Sequence, residues 1–452
     1  MKNLIKSRLG RLLLLILTVS VILSSLVSCD LFAYTADDRA EIEENLSSAT
    51  EQSDCRYVSQ YLREWGFPIF DTLKMQYFEE SFIQLYNYGD GLPDTFTHAK
   101  LTAELFLTEY YDGINTGNKT EVTDAILDCY VTIIGDPYSA YRPPAETDDY
   151  MTDMSGKFGG IGVMVEYNDA DESIMVSTVY QGSPAEKAGV AVGDFIYAVD
   201  GRTVEELGYH NAVYYVRGEI GTDVELTLLR GDELVTVVAT RAEVEEINAS
   251  YSIDEENNIG YVQIVSFKDN TFSQFKEAID ALEAAGVEGI IFDLRNNPGG
   301  YVNSVVAVIS YLIPDGKVVM SYDYKNQPTD TLYSTEKGED HVVDLPFVVI
   351  CNEYTASAGE IFTAAIRDYR NDGDLDATIV GTTTYKKGIM QNTYYYFDQS
   401  SVTMTVAYYN PPCGENYHGI GVTPDRIVEL GEDSDTQLDA ALEEMLKLIN
   451  DN

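Results

Sequence analysis

At 452 residues the chain is longer than one typical domain, and with 45% hydrophobic and 23% charged residues it has a globular composition, so about three folded units are expected. Its formal charge is −46, from 75 acidic and 29 basic residues. That balance argues against nucleic acid as a partner, because binding a phosphate backbone relies on basic groups that displace counterions, and it favours solubility as the role of the acid.

Residues 1–28 combine Lys2, Lys6, Arg8 and Arg11 with the apolar run Leu12 to Leu23, and they end in Leu26-Val27-Ser28 directly before Cys29. A basic stretch, an apolar stretch and then small residues read as an export signal. The ending resembles the lipobox of bacterial lipoproteins. That resemblance implies cleavage before Cys29, lipidation of its thiol and an extracytoplasmic protein attached to the membrane by lipid; an ordinary cleaved signal or an uncleaved anchor are the other readings. No later stretch has the ~18 consecutive apolar residues needed to cross a bilayer, and residues 29–50 read as a tether. Four further cysteines, Cys55, Cys129, Cys351 and Cys413, permit disulfides in an exported protein, but their spacing is irregular. No Cys or His pair has the short spacing of a metal clamp, so neither metal nor cofactor is expected.

From 51 to 150 apolar residues recur at helical intervals, as in Leu101, Leu105, Phe106 and Tyr110, and this helical N-terminal region closes at the proline-rich Asp136-Pro-Tyr-Ser-Ala-Tyr-Arg-Pro-Pro. Residues 156–245 change to short strands separated by glycine turns: Ile161 to Glu166, Ser173 to Val179, Phe195 to Val199 and Val224 to Leu229, with a hairpin signal at Asp200-Gly201. Here Phe158-Gly-Gly-Ile-Gly162, Gly182-Ser-Pro-Ala-Glu-Lys-Ala-Gly-Val-Ala-Val-Gly-Asp194 and Arg217-Gly-Glu-Ile-Gly-Thr222 resemble a PDZ domain of exported bacterial proteases. The resemblance implies that Gly160, Ile161 and Gly162 receive the carboxylate of a protein C-terminus. Convergent backbone N–H groups suit an anion, and an adjoining strand edge suits an extended peptide. Gly182, Gly193 and Gly201 read as turn residues.

Residues 246–430 read as an α/β block. Strands are expected at Ile259 to Ile264, Gly289 to Leu294 and Pro346 to Cys351, and helices at Phe272 to Ala285, Val302 to Leu312 and Gly359 to Tyr369. Ser357 then falls on a strand-to-helix turn, a position that projects a nucleophile into a cleft. Its hydroxyl needs a base. The four histidines, His98, His210, His341 and His418, stand in no catalytic motif, whereas Lys386 and Lys387 precede Gly388 and Gln391. A lysine serves as base once burial lowers its pKa by roughly three units.

These motifs together resemble the C-terminal processing peptidases, or tail-specific proteases: Ser-Lys endopeptidases with a PDZ domain and a crotonase-like core. Asn352-Glu-Tyr-Thr-Ala-Ser-Ala-Gly-Glu-Ile361 aligns with the family's serine motif, and Gly381-Thr-Thr-Thr-Tyr-Lys-Lys-Gly-Ile-Met-Gln391 with its lysine loop. The resemblance implies Ser357 as nucleophile, Lys387 as base and Gln391 as the group orienting the amine. Ala358 with Gly299 or Gly300, on Asp293-Leu-Arg-Asn-Asn-Pro-Gly-Gly300, would supply the oxyanion donors, and Asp368 a supporting acid. Lys386 replaces a family glycine and Thr355 a family serine. Arg370 to Asp376 reads as an inserted surface loop, and 431–452 as a C-terminal helix packed on the surface.

The fold class expected is therefore multidomain α/β, with a helical N-terminal region, a β-rich PDZ domain and a crotonase-like protease core. The function expected is a serine endopeptidase acting on unfolded or flexible protein C-termini, with homodimerisation implied by the family. The alternative is an inactive PDZ adaptor or scaffold at the cell envelope.

Overall fold

The computed structural model describes residues 36–51, 54–89, 91–168, 173–334, 343–431 and 434–451. The export signal and Cys29 lie outside the described residues, as does His341. The described residues form two compact units: those within 36–147 with 324–327 and 391–407, and those within 148–323, 328–390 and 408–451.

In the first unit, helices Val58–Glu64, Thr72–Leu85, Thr95–Glu109 and Lys119–Ile134 enclose Phe78, Phe82, Phe106, Ile126 and Tyr130, all buried. Their starts are set by side chains that accept orphan N–H groups: Asp71 takes those of Leu73 and Lys74, and Asn118 those of Thr120 and Glu121. Gly135, at φ +74°, ends the last helix in the left-handed conformation that a side chain would disfavour. His98 stacks on Tyr130 and bonds its carbonyl through Nε2 at 2.9 Å, and burial lowers its pKa, so it is a core residue. Segment 391–407 joins this unit from far along the chain. Strand Ala140–Arg142 pairs antiparallel with Ser401–Asn410 in the register Ala140↔Thr403.

The second unit begins and ends its β-rich portion with a two-stranded ribbon, Lys157–Gly160 against Ala242–Glu245. Between them strands Val163–Asn168, Ser173–Val179, Phe195–Val199, Asp223–Arg230 and Glu233–Thr240 follow one another in the sheet, over a core that includes Ile174, Val176, Ile196 and Leu226. Asp200 and Gly201 both have positive φ, +48° and +75°, and close the hairpin onto Arg202–Thr203. The first strand starts at Val163, not at Ile161. The reason is hydrogen bonding: Ile161 O accepts Ala185 N–H at 2.8 Å and Gly162 O accepts Tyr180 N–H at 3.0 Å, which makes these residues a loop.

The core is a six-stranded sheet, and its strands along the chain are β1 Ala249–Asp254, β2 Ile259–Ile264, β3 Gly289–Asp293, β4 Phe347–Cys351, β5 Ala377–Gly381 and β6 Arg426–Ile427. Strands lie in that order, β1 antiparallel to β2 and the rest parallel. Every residue of β3 and β4 is buried, as a sheet covered on both faces requires. Alternation decides the faces. Phe292 meets Phe275 of helix α1 (Thr271–Ala285) and Phe362 of a later helix, while Ile291 and Val348 pack with Ala441 and Met445. Helix α2 is Val302–Leu312, α3 is Ala358–Asn371, and α4 is Thr436–Asp451. Helix α4 does more than lie on the surface: a methyl on Gly289 would come within 2.3 Å of Met445 Sδ, so its side chains complete one face of the sheet.

Candidate active site

Three loops leave the carboxyl ends of β3, β4 and β5, and hydrogen bonds lock them together. Asp293, buried, accepts a bidentate pair from Arg295 and the Tyr261 hydroxyl at 2.6 Å; Arg295 also reaches Asp435 at 2.7 Å. Asn296 and Asn352 exchange bonds at 2.9 and 3.0 Å. The Thr355 hydroxyl donates to Leu294 O at 2.8 Å and accepts Asn352 N–H at 2.9 Å, a task for a hydroxyl that serine or threonine can perform. Tyr385 N–H donates to Thr355 O at 2.9 Å, which brings in the lysine loop.

Ser357 is the residue immediately before α3, at φ +53° and ψ −114°. A β-carbon is costly at positive φ, of order 1–3 kcal/mol, and such strain persists only where neighbours hold it. Here the fixing group is Glu360, fully buried one turn into α3. Its Oε2 accepts the N–H groups of Ser357 at 3.1 Å and Lys387 at 2.7 Å; Oε1 accepts Lys386 N–H at 2.7 Å and the Thr384 hydroxyl at 2.6 Å. Burial raises the Glu360 pKa despite these donors, which favour the charged form.

The lysine loop is thus brought to the serine elbow through its backbone. Lys387 is half-buried and Lys386 exposed. Lys386 has φ +84°, a backbone conformation that glycine adopts easily and a lysine seldom does. Gly388 is needed for close approach, since a methyl there would come within 2.7 Å of His418 N. Gly388 N–H donates to His418 Nδ1 at 3.3 Å, which places a histidine beside the loop and its ring proton on Nε2. Tyr409, 1% exposed, has its hydroxyl 2.6 Å from Lys387 O and 3.2 Å from Ser357 Oγ.

Gly299 and Gly300 adopt φ +102° and +141°. A methyl on Gly299 would meet Ser357 Cβ at 2.7 Å and Ala358 N at 2.9 Å, so this backbone abuts the elbow. The Gly299 N–H donates to Asn297 Oδ1 at 2.8 Å. Asp368 pairs with Arg367 at 2.8 Å and accepts Cys413 N–H at 3.0 Å, holding the segment after Tyr409. Gln391 belongs to the first unit, where its amide donates to Thr405 Oγ1 at 3.0 Å and Thr405 in turn to Asp136. Cys55, Cys129, Cys351 and Cys413 are free thiols.

Gly160, Ile161 and Gly162 line a cavity of about 320 Å³ between edge strand Val163–Asn168 and helix Val204–Val216, with Val163, Val213 and Val216 among its walls. Gly162, at φ +78°, could carry no side chain, since a methyl would lie 2.5 Å from Ser183 Cβ.

A sequence profile of Peptidase family S41 matches residues 258–428, and one of the PDZ domain matches residues 175–230. The chain is 34% identical over 317 residues to a "Probable CtpA-like serine protease" of Staphylococcus haemolyticus, covering 70% of this chain and 61% of that protein. It is 34% identical over 310 residues to the "Carboxy-terminal processing protease CtpA" of Bacillus subtilis, covering 69% and 64%. It therefore spans somewhat less than two thirds of the length of these relatives. A solved structure described as "Putative S41 protease from Bacteroides fragilis" aligns over 80% of this chain and 100% of its own, with a TM-score of 0.50 at 16% identity, a likeness of fold. The class defined by fold and site is a PDZ domain joined to a family S41 peptidase core. Within that class the chain is a homologue of the carboxy-terminal processing proteases.

Proposed function

We propose that this chain is a serine endopeptidase that holds protein C-termini in its PDZ groove and cleaves peptide bonds with Ser357 and Lys387. The observation that carries the reading is the Glu360 carboxylate, which fixes the backbone of the nucleophile and of the base in one frame. Ser357 Oγ attacks the scissile carbonyl carbon and its proton passes to the neutral Lys387 amine. The tetrahedral oxyanion forms between the N–H groups of Ala358 and Gly300, because that of Gly299 is already given to Asn297. Collapse breaks the C–N bond, the lysine returns the proton to the departing amine, and water completes the cycle on the acyl-enzyme. Gln391 keeps its assignment as orienter of the amine on the family resemblance, and Asp368 supports the site by holding Cys413.

In the PDZ groove a terminal carboxylate would meet the Gly160–Gly162 backbone while the peptide extends along the open edge of Val163–Asn168. Lipid attachment at Cys29 places this activity at the outer face of a membrane. The adaptor reading is disfavoured by the lysine loop, where Lys386 takes the glycine-like φ and Lys387 N–H stays on Glu360.

The test is cleavage of an unfolded protein by the mature chain, with Ser357→Ala and Lys387→Ala variants alongside. Turnover lost in both supports the dyad. Turnover retained in either, or C-terminal peptide binding without any turnover, overturns it. Metabolic labelling with a radioactive fatty acid, abolished in Cys29→Ala, tests the anchor separately.

A further inference from the structure

We propose that Tyr409 is a further catalytic residue, whose phenol joins the nucleophile to the loop carrying the base; the inference rests on the reading of Ser357 as nucleophile. Tyr409 is buried, near the end of strand Ser401–Asn410, with its oxygen 2.6 Å from Lys387 O and 3.2 Å from Ser357 Oγ. A phenol has one proton and a peptide carbonyl only accepts. That proton therefore lies on the shorter bond, to Lys387 O, and the Ser357 hydroxyl donates to the phenol oxygen.

Two consequences follow from this proton count. First, the carbonyl of the base-bearing residue is pinned from one side by Tyr409 while its N–H is pinned from the other by Glu360, so the peptide units on both sides of the Lys387 Cα are held. Second, Ser357 Oγ is kept at a defined rotation before substrate arrives, with its proton on Tyr409. Reaction requires that proton to turn to the Lys387 amine, after which it passes to the leaving nitrogen as described above. Tyr409 keeps its own proton throughout. Burial holds its ionisation well above the ordinary phenol range, so it is not a substitute base.

A fluorophosphonate probe tests this directly, because it forms an Oγ–P bond with an activated serine and expels fluoride, and its rate separates into a binding constant and a maximal inactivation rate. Mature parent protein, Tyr409→Phe, Ser357→Ala and Tyr408→Phe are compared across pH. The expected result is about a tenfold slower maximal inactivation in Tyr409→Phe with the binding constant unchanged, the loss proper to hydrogen bonds at the reacting centre and not to altered binding. Tyr408, on the opposite face of the strand, should be silent on mutation to Phe. If Tyr409→Phe reacts at the parental rate while Ser357→Ala is unlabelled, the inference on Tyr409 fails and the nucleophile stands. If Ser357→Ala is still labelled, the nucleophile reading fails and the Tyr409 inference with it. Should Tyr409→Phe not fold, 3,5-difluorotyrosine at 409 keeps the ring and weakens the phenol oxygen as a hydrogen-bond acceptor: a slower maximal inactivation with the binding constant unchanged supports the role, and the parental rate overturns it.

Discussion

Ser357 and Lys387 present their backbone N–H groups to the same oxygen, Oε2 of Glu360, at 3.1 and 2.7 Å. The main chains of the two residues share one acceptor, so displacement of either loop would leave a buried carboxylate short of donors.

Glu360→Gln should therefore cost more than its isosteric size suggests. An amide has one acceptor oxygen, and its NH2 would face N–H donors, so two of the present bonds are lost, worth on the order of 2–4 kcal/mol. The inactivation rate at Ser357 should fall by about a hundredfold or more, while C-terminal peptide affinity stays parental. The pH behaviour has two opposite signs. Because the folded pKa is raised, the native state binds a proton that the unfolded state has released, so the stability contributed by this group is full at low pH and declines as pH rises through the folded value. Activity needs the four-fold acceptor and grows in the same direction. Melting point and rate, measured on one pH axis, should slope oppositely in the parent, with both slopes reduced in Glu360→Gln.

Sequence periodicity sufficed where local preference and burial agree. Ile259–Ile264 and Val302–Leu312 form the strand and helix that their apolar patterns dictate, and the Ser357 turn lies between a continuous apolar run and an amphipathic helix. Glu360 did have a visible signal, since a glutamate three residues after a serine at a helix start is a capping-box position, but its bonds to Thr384, Lys386 and Lys387 cross loops that no periodicity links. Tyr409 and His418 were hidden for the same reason. Each reaches the lysine loop from a segment whose pattern reads as structural, and only the fold makes them neighbours. The union of 391–407 with the helical unit was likewise illegible, because β-pairing at long range depends on partners and not on the strand's own pattern.

Position 386 should be selective for backbone freedom. A side chain at φ +84° costs roughly 1–2 kcal/mol, and glycine there removes that cost but adds about 0.5–1 kcal/mol of unfolded-state entropy. Lys386→Gly should thus be neutral to mildly stabilising by chemical denaturation. Lys386→Val, β-branched, should lose ~2 kcal/mol and slow Ser357 labelling, because the displaced N–H is on Glu360. Equal stability of the Val and Gly variants would refute the backbone argument.

Glu79 of helix Thr72–Leu85 is buried, accepts Val58 N–H through Oε1 at 2.7 Å, and leaves Oε2 without a hydrogen bond among the described residues. Burial pushes its pKa from 4.5 to about 8. The native state therefore keeps a proton that the unfolded state loses above 4.5, and stability drains away as pH rises from there to about 8. Glu79→Gln, which mimics the protonated acid, should melt close to the parent at acid pH and above it at pH 8 and beyond. A difference between the two melting curves that does not grow with pH would show that the carboxyl is already ionised at neutrality.

Gly162 and Gly182 both have positive φ, +78° and +74°, but only Gly162 faces a wall: its added methyl would lie 2.5 Å from Ser183 Cβ, whereas nothing lies within 4 Å at Gly182. Ser183 cannot retreat freely, because its Oγ caps helix Pro184–Ala188 through Glu186 N–H at 3.1 Å. Gly162→Ala should therefore deform the loop that would receive a terminal carboxylate, and weaken a fluorescent peptide with a free C-terminus by about tenfold or more. Gly182→Ala should cost only about 1 kcal/mol of backbone strain, seen in the melting point and not in peptide affinity. Fluorescence anisotropy with the free and C-terminally amidated peptide separates the two cases: the amide should bind all three proteins equally weakly. Undiminished binding of the free acid to Gly162→Ala would move the carboxylate site away from this loop.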